Sequence, residues 1–356
     1  MPDPIDLRSD FLSRPTPEMI RAMSAAATQP VGFALREDPT ERALEARAAE
    51  LLGKEDALFC PTCTMANQVA IHIRCKPGDS VIAESSAHVV TTEGASAVAL
   101  SSILFRTVPG RLGRIDPAAV AAAIRADDAQ RSRARLVVSE NTHVRSGGTV
   151  VPLEEMRAVR RVAVAHGLPV HLDGSRLFNA AAYLGVRGDV LAATADSVAV
   201  NLNKGLGAPL GAVLAGPADF IKEAVRVRNL FGGSWRPANI PAAAGLVALD
   251  TMIERIGEDH VVARRIADGL AGLDGIAIDP DQVQTNIVLA RIVRPGLATE
   301  DLVAALARHG LRTREFTPGV LRLVTYHQIG PAEADRVVEA FRLALAERPA
   351  GGPSAA

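Results

Sequence analysis

Lysine is scarce in this chain. Lys54, Lys76, Lys204 and Lys222 are the four, and arginine carries nearly all the other positive charge. Lys204 lies between Asn203 and the run Gly205-Leu206-Gly207-Ala208-Pro209. Unlike arginine, lysine can shed its proton and act as a nucleophile. A lone lysine is ordinarily a solvated surface residue. The uncharged, glycine-rich surroundings and the apolar run at 197–200 point instead to covalent amine chemistry. Asp173 ends the run Val170-His171-Leu172, and Arg176 follows three residues on. An acid there can cap the next helix. Beside a nucleophilic lysine it also meets the second need of a pyridoxal phosphate site, an acid or arginine at the pyridine nitrogen.

Further residues extend the set. Pro61-Thr62-Cys63-Thr64-Met65 joins an expected strand to an expected helix, and N–H groups at a helix start bind phosphate. His88 and His143 each follow an expected strand. Either one alone reads as a structural histidine, but two at the same end of one sheet suggest a shared pocket. Cys60 and Cys63 form a C-x-x-C. With no second cysteine pair to complete a zinc site and no small redox domain around it, this spacing reads as coincidence.

These residues need elements to position them. Strands are expected at 57–59, 80–83, 103–108, 136–139, 169–172, 197–200 and 211–215, with helices between them. Such alternation indicates a mostly parallel seven-stranded α/β sheet with helices on both faces. Ligands on these sheets bind at the carboxyl ends of the strands, where Glu140, Asp173 and Lys204 would sit. A long helix is expected at 241–256, continuing at 260–270. After it come strands at 276–278, 287–292 and 321–324 and helices at 299–309 and 331–347. The division expected is an arm over 1–40, a large cofactor-binding domain over 41–257, a small α+β domain over 258–347 and a disordered tail over 348–356.

The bulk composition excludes several classes. Of 356 residues, 48% are hydrophobic and 22% charged, and the formal net charge is -1. A nucleic-acid or anionic-membrane partner normally meets a basic surface, so neither is expected. No apolar run reaches spanning length, and MPDPIDLRSD has no signal-peptide core. An odd number of cysteines, three, argues against a disulfide framework. The expected location is the cytoplasm.

The ordered motifs resemble those of the low-specificity L-threonine aldolases, a pyridoxal phosphate family of the aspartate-aminotransferase fold type (fold type I). The resemblance covers nearly the whole chain. It rests on Ile5-Asp6-Leu7-Arg8-Ser9-Asp10, Thr64-Met65-Ala66-Asn67-Gln68, Glu140-Asn141-Thr142-His143, His171-Leu172-Asp173-Gly174-Ser175-Arg176-Leu177 and the Lys204 loop. It implies that Lys204 holds the cofactor as a Schiff base and that Asp173 pairs with the pyridinium nitrogen. His88 would stack on the ring, with Cys63, Thr64 and Met65 on the phosphate loop. Arg236 would reach a phosphate, in the neighbouring subunit if the site is shared. Ser9, Arg176 and Arg322 would hold the substrate carboxylate, and His143 would lie near the β-hydroxyl. The family also implies a homo-oligomer, at least a dimer and commonly a tetramer.

The activity implied is retro-aldol cleavage of L-β-hydroxy-α-amino acids to glycine and an aldehyde, with His88 and His143 as candidate bases. A β-eliminating lyase or racemase on the same fold and a non-catalytic cofactor-binding paralogue are the alternatives. The chain departs from the family at 31–38, where the family usually has acids and a tyrosine and is one residue longer, and this chain lacks the tyrosine and carries Phe33 and Leu35. Cys63 replaces a glycine, Asn203 a serine, and Tyr326 stands where a histidine is common. An apolar wall from Phe33 and Leu35 would favour aryl substrates such as phenylserine.

Overall fold

A computed structural model describes residues 3–124 and 130–347. Its centre is a seven-stranded sheet. The order is Asp56–Cys60, Ala212–Gly216, Ser197–Asn201, Val170–Asp173, Ala134–Glu140, Ser80–Glu84, Leu104–Val108. Neighbours run parallel, except that Ala212–Gly216 is antiparallel to both of its neighbours. Each of the seven strands falls at one of the expected positions.

Short continuous apolar runs such as Ser197–Asn201, buried at every position, form parallel strands because both faces must be covered. One face packs against Met19, Leu44, Met156 and Leu249 from four helices. The other packs against Ala66 and Val69 of Cys63–Arg74 and Phe220 of Ala218–Leu230.

A second, four-stranded antiparallel sheet has the order Ile276–Ala277, Ile287–Ile292, Val320–Val324, Arg314–Thr317. Helices Ile256–Ala271 and Pro331–Ala346 cover it through Val262, Ile266, Val337 and Phe341. The segment Ile5–Asp6 pairs in parallel with Leu311–Arg312, and Ile5 and Leu7 join this core. The chain then passes from the small sheet to the large one through Ser9 and Asp10.

The helical stretch expected over 241–270 breaks into Asn239–Thr251 and Ile256–Ala271. The first lies on the large core through Ala244 and Leu249, the second on the small core through Ala263 and Leu270. The break lets one continuous apolar pattern serve two cores. The expected tail over 348–356 lies outside the described residues. No helix among the described residues is long and apolar enough to cross a membrane.

Candidate active site

The parallel register aligns three acids. Glu140 is the cross-strand partner of Asp173, and Glu84 ends the strand on the far side of Ala134–Glu140. The chain after each strand therefore enters one region. There a cavity of about 460 Å³ is lined by Ser9, His88, Asp173, Arg176, Lys204 and Arg322, together with Glu140, Arg145, Arg314 and Phe316. The first six are residues singled out from the sequence, drawn from positions as far apart as 9 and 322.

Asp173 is buried at its strand end. Its Oδ1 accepts the Ser175 N–H at 3.1 Å, and its Oδ2 accepts from Asn67 Nδ2 at 3.1 Å. Asn67 also donates to Glu93 Oε1 at 3.2 Å, and His88 Nδ1 meets the same oxygen at 2.9 Å. A chain of contacts thus runs from Asp173 through Asn67 and Glu93 to the His88 ring, fixing its plane. Burial alone would depress the His88 pKa, but the Glu93 hydrogen bond and the nearby Asp173 carboxylate raise it. Behind Asp173, His171 contacts Ser197 Oγ at 2.9 Å and Asn67 Oδ1 at 3.0 Å, and burial pushes its pKa down to about 4. It is a neutral brace.

Lys204 follows Ser197–Asn201, and the backbone is tied down where its carbonyl accepts from Ser13 Oγ at 3.1 Å. Among the described residues its amine has no hydrogen bond or ion pair. Burial first, then the nearby Arg176, lowers its pKa. That shift favours the neutral, nucleophilic amine.

Arg176 is buried and forks onto Asp10, with Nε 2.8 Å from Oδ2 and Nη2 2.7 Å from Oδ1. Burial raises the Asp10 pKa, but the Arg176 charge outweighs it and holds the group at about 2. Among the described residues Arg322 has no carboxylate partner. Its Nη2 reaches the Arg8 carbonyl at 3.4 Å, its Nε is buried without a partner, and its guanidinium sits 4.7 Å from the Phe316 ring centre. A buried guanidinium facing a cavity in this state suits a ligand carboxylate.

The phosphate side is built on the twelve-residue helix Cys63–Arg74. Thr62 Oγ1 caps it by accepting the Met65 N–H at 3.1 Å. Among the described residues no acceptor meets the N–H groups of Cys63 and Thr64. Ser175 Oγ, itself on the cavity wall, donates to Cys63 Sγ at 3.1 Å and links this helix start to the Asp173 turn. The buried low-pKa amine, the strand-end acid and the open helix start fit pyridoxal phosphate. Lys204 would carry its aldehyde carbon, Asp173 its ring nitrogen, and the Cys63–Thr64 turn its phosphate.

Some expected residues lie elsewhere. His143 is fully buried and does not line the cavity. Its Nε2 is 3.1 Å from Glu84 Oε2 and 3.9 Å from Glu140, and its Nδ1 is 2.9 Å from Ser146 Oγ. Burial would lower its pKa, and the Glu84 contact raises it. Its neighbours Thr142 and Val144 reach the cavity instead. Met65 packs where a Cβ on Gly233 would stand only 2.1 Å from its sulfur. Arg236 is exposed, with its guanidinium 5.7 Å from the Phe33 ring centre. Phe33 is 86% exposed, and neither it nor Leu35 lines the cavity of its own chain.

Three residues were not singled out from the sequence. Asp10 orients Arg176, Glu93 orients His88, and Asn67 joins Glu93 to Asp173. Asp10 and Asn67 lie inside quoted motifs, so the motif boundaries held that signal. Glu93 had none beyond its place five residues after His88.

All three cysteines are buried and unpaired. Burial pushes the Cys60 and Cys75 thiols up to about 12 and Cys63 above the usual range. The native protein is expected to react with no thiol reagent at neutral pH, and to release three titratable thiols on denaturation. A fast-reacting thiol in the folded state would contradict this burial.

Comparison with known proteins agrees with the geometry. The family model described as β-eliminating lyase matches residues 6–292. The chain is 36% identical to low-specificity L-threonine aldolase 1 of Arabidopsis thaliana over 348 residues, 96% of each protein. It is also 36% identical to the low specificity L-threonine aldolase of Escherichia coli (strain K12), covering 96% of this chain and 99% of that one. The solved structure of Leishmania major threonine aldolase superposes with a TM-score of 0.83 at 22% identity, over 95% of this chain and 99% of that one. At that identity it shows the shared fold.

Proposed function

From the premise that this chain belongs to the β-eliminating lyase family, and within it to the low-specificity L-threonine aldolases, we propose that it cleaves L-β-hydroxy-α-amino acids to glycine and an aldehyde, as a pyridoxal phosphate-dependent carbon–carbon lyase. One observation carries this reading: Lys204, Asp173, His88, Arg176 and Arg322 converge on a single cavity.

When bound, pyridoxal phosphate supplies an electron sink for negative charge developing at Cα. Arg322, whose buried Nε has no partner, takes the substrate carboxylate, and Arg176, held rigid by Asp10, supports it with Ser9 nearby. Fixing the carboxylate fixes which Cα bond is presented for cleavage. Asp173 keeps a proton at the ring nitrogen. His88 lines the cavity, and its Nδ1 faces Glu93, so Nε2 is the atom free to take the β-hydroxyl proton. We assign His143 a positioning role, since it braces Glu84 and Ser146 behind the wall.

Arg236 and the 31–38 loop serve a neighbouring copy in this reading. An exposed arginine stacked on an 86% exposed phenylalanine, away from its own cavity, supports a homo-oligomer that shares its sites, a dimer at least and a tetramer by family habit. Phe33 and Leu35 would then form an apolar wall beside the neighbour's substrate.

The test is incubation of the cofactor-loaded protein with L-threonine, L-allo-threonine and phenylserine, measuring glycine and aldehyde. Phenylserine is expected to be turned over at least as efficiently as threonine, and slower turnover overturns the aryl wall. Keto acid and ammonia in place of glycine would instead identify an eliminating lyase.

A further inference from the structure

We propose that the cavity carries a second anion-binding subsite, formed by Arg145 and Arg314 beside Phe316, which selects β-hydroxy-α-amino acids whose side chain ends in a carboxylate. The proposal rests on the aldolase reading above and names its substrate class.

Four arginines line the one cavity: Arg145, Arg176, Arg314 and Arg322. Among the described residues only Arg176 of these has a carboxylate partner, and that pair with Asp10 is internal to the protein. Among the described residues Arg145 and Arg314 make no ion pair and no hydrogen bond through their side chains. The acids on the cavity wall do not answer them. Asp173 is held by Asn67 and Ser175, and Glu140 accepts the backbone N–H groups of His88 at 2.6 Å and Val144 at 2.8 Å. One α-carboxylate satisfies Arg322 and leaves the charge of Arg145 and Arg314 unanswered.

These charges lie close enough to be felt. Arg145 and Arg322 both lie against the Phe316 ring, at 5.3 and 4.7 Å from its centre. Burial first, then Arg176, Arg314 and Arg145, pull the Arg322 pKa down to about 10. Like charges gathered without counterions cost free energy, and a ligand that brings the missing charge recovers it. A methyl or phenyl side chain leaves that repulsion in place. Arg145 is half-buried and Arg314 exposed at the rim, so one can grip a ligand while the other steers it in. Arg145 and Phe316 also border an adjoining cavity of about 490 Å³, which leaves room beyond the shortest side chain. The simplest such substrate is β-hydroxyaspartate. Breaking its Cα–Cβ bond with transfer of the β-hydroxyl proton yields glycine and glyoxylate, with no further reactant.

The binding test uses the cofactor-loaded enzyme with two ligands that lack a β-hydroxyl, L-aspartate and L-alanine, in titration calorimetry at low salt. L-Aspartate is expected to bind at least about tenfold tighter, as one charge-assisted arginine–carboxylate contact supplies. Arg145→Gln and the rim variant Arg314→Gln should each shrink that ratio, and added salt should too. In parallel, the ratio of kcat/KM for β-hydroxyaspartate over L-threonine is expected to exceed about ten and to fall in the same variants. A wild-type binding ratio near one, or a ratio unmoved by both substitutions, overturns the subsite. If the binding preference holds but neither hydroxy acid releases glycine, the subsite stands and the aldolase reading falls. If both are cleaved without a binding preference, the reverse is true.

Discussion

Lys204→Ala is expected to abolish the visible absorbance of the cofactor-loaded protein and to lower glycine release from β-hydroxy amino acids by at least roughly three orders of magnitude. No other amine can substitute. Lys204 is the one lysine on the cavity wall, and the nearest in sequence, Lys222, lies on the helix Ala218–Leu230. Lys204→Arg should fare no better. A guanidinium keeps its proton, and here it would stand near Arg176. Absorbance spectra and glycine assays on both variants, with circular dichroism to confirm folding, decide the matter. A Lys204→Ala protein that kept both absorbance and turnover would remove the basis of the site.

Asp10→Ala should show the second-largest effect, and it acts through Arg176. Removing one partner of a buried ion pair leaves an uncompensated charge, which costs about 3–5 kcal/mol of stability. Chemical denaturation is the measurement. In the surviving folded enzyme KM for threonine should rise more than kcat falls, because Arg176 loses the fork that aims it. Arg176→Met added to Asp10→Ala should recover stability without recovering substrate affinity. A purely structural Asp10 would move stability and leave KM alone. The pH dependence follows from the sign of the shift. Asp10 is held at about 2, below its ordinary 3.8, so its contribution is present above about pH 4 and is lost as pH falls towards 2.

Most of the large sheet was legible because its strands are short apolar runs separated by helical periodicity, a pattern that parallel pairing requires. Lys204, Asp173 and His88 were legible on the cavity wall for a related reason: ligands gather where such strands end. The pairing of Ile5–Asp6 with Leu311–Arg312 was not, because two-residue strands carry no period to read. The bounds of helices Leu177–Leu184 and Gly188–Ala192 were hidden by an alanine-rich run with little polar contrast. The inward turn of His143 depends on Glu84, 59 positions away, and Gly113, whose Cβ would stand 2.4 Å from the His143 Cβ. Nothing local to Glu140-Asn141-Thr142-His143 records that neighbour. The free state of Arg145 and Arg314 is likewise a matter of what does not come near them in space.

The route of the chain through Ile5–Asp6 has a consequence for how the protein is made. Residues 8 and 322 are 314 positions apart, yet the Arg8 carbonyl meets Arg322 and the neighbouring Asp10 meets Arg176. On a ribosome the first of these segments emerges long before its partner strand exists. The large sheet, ending at Gly216, has all its strands well before then. The amine side of the site can therefore take shape during synthesis, while the carboxylate clamp waits for the small sheet to close. Contacts this distant in sequence are slow to form. A nascent chain halted near residue 300 would hold its reactive lysine and Arg176 in place but lack Arg322, the guanidinium that takes the substrate carboxylate.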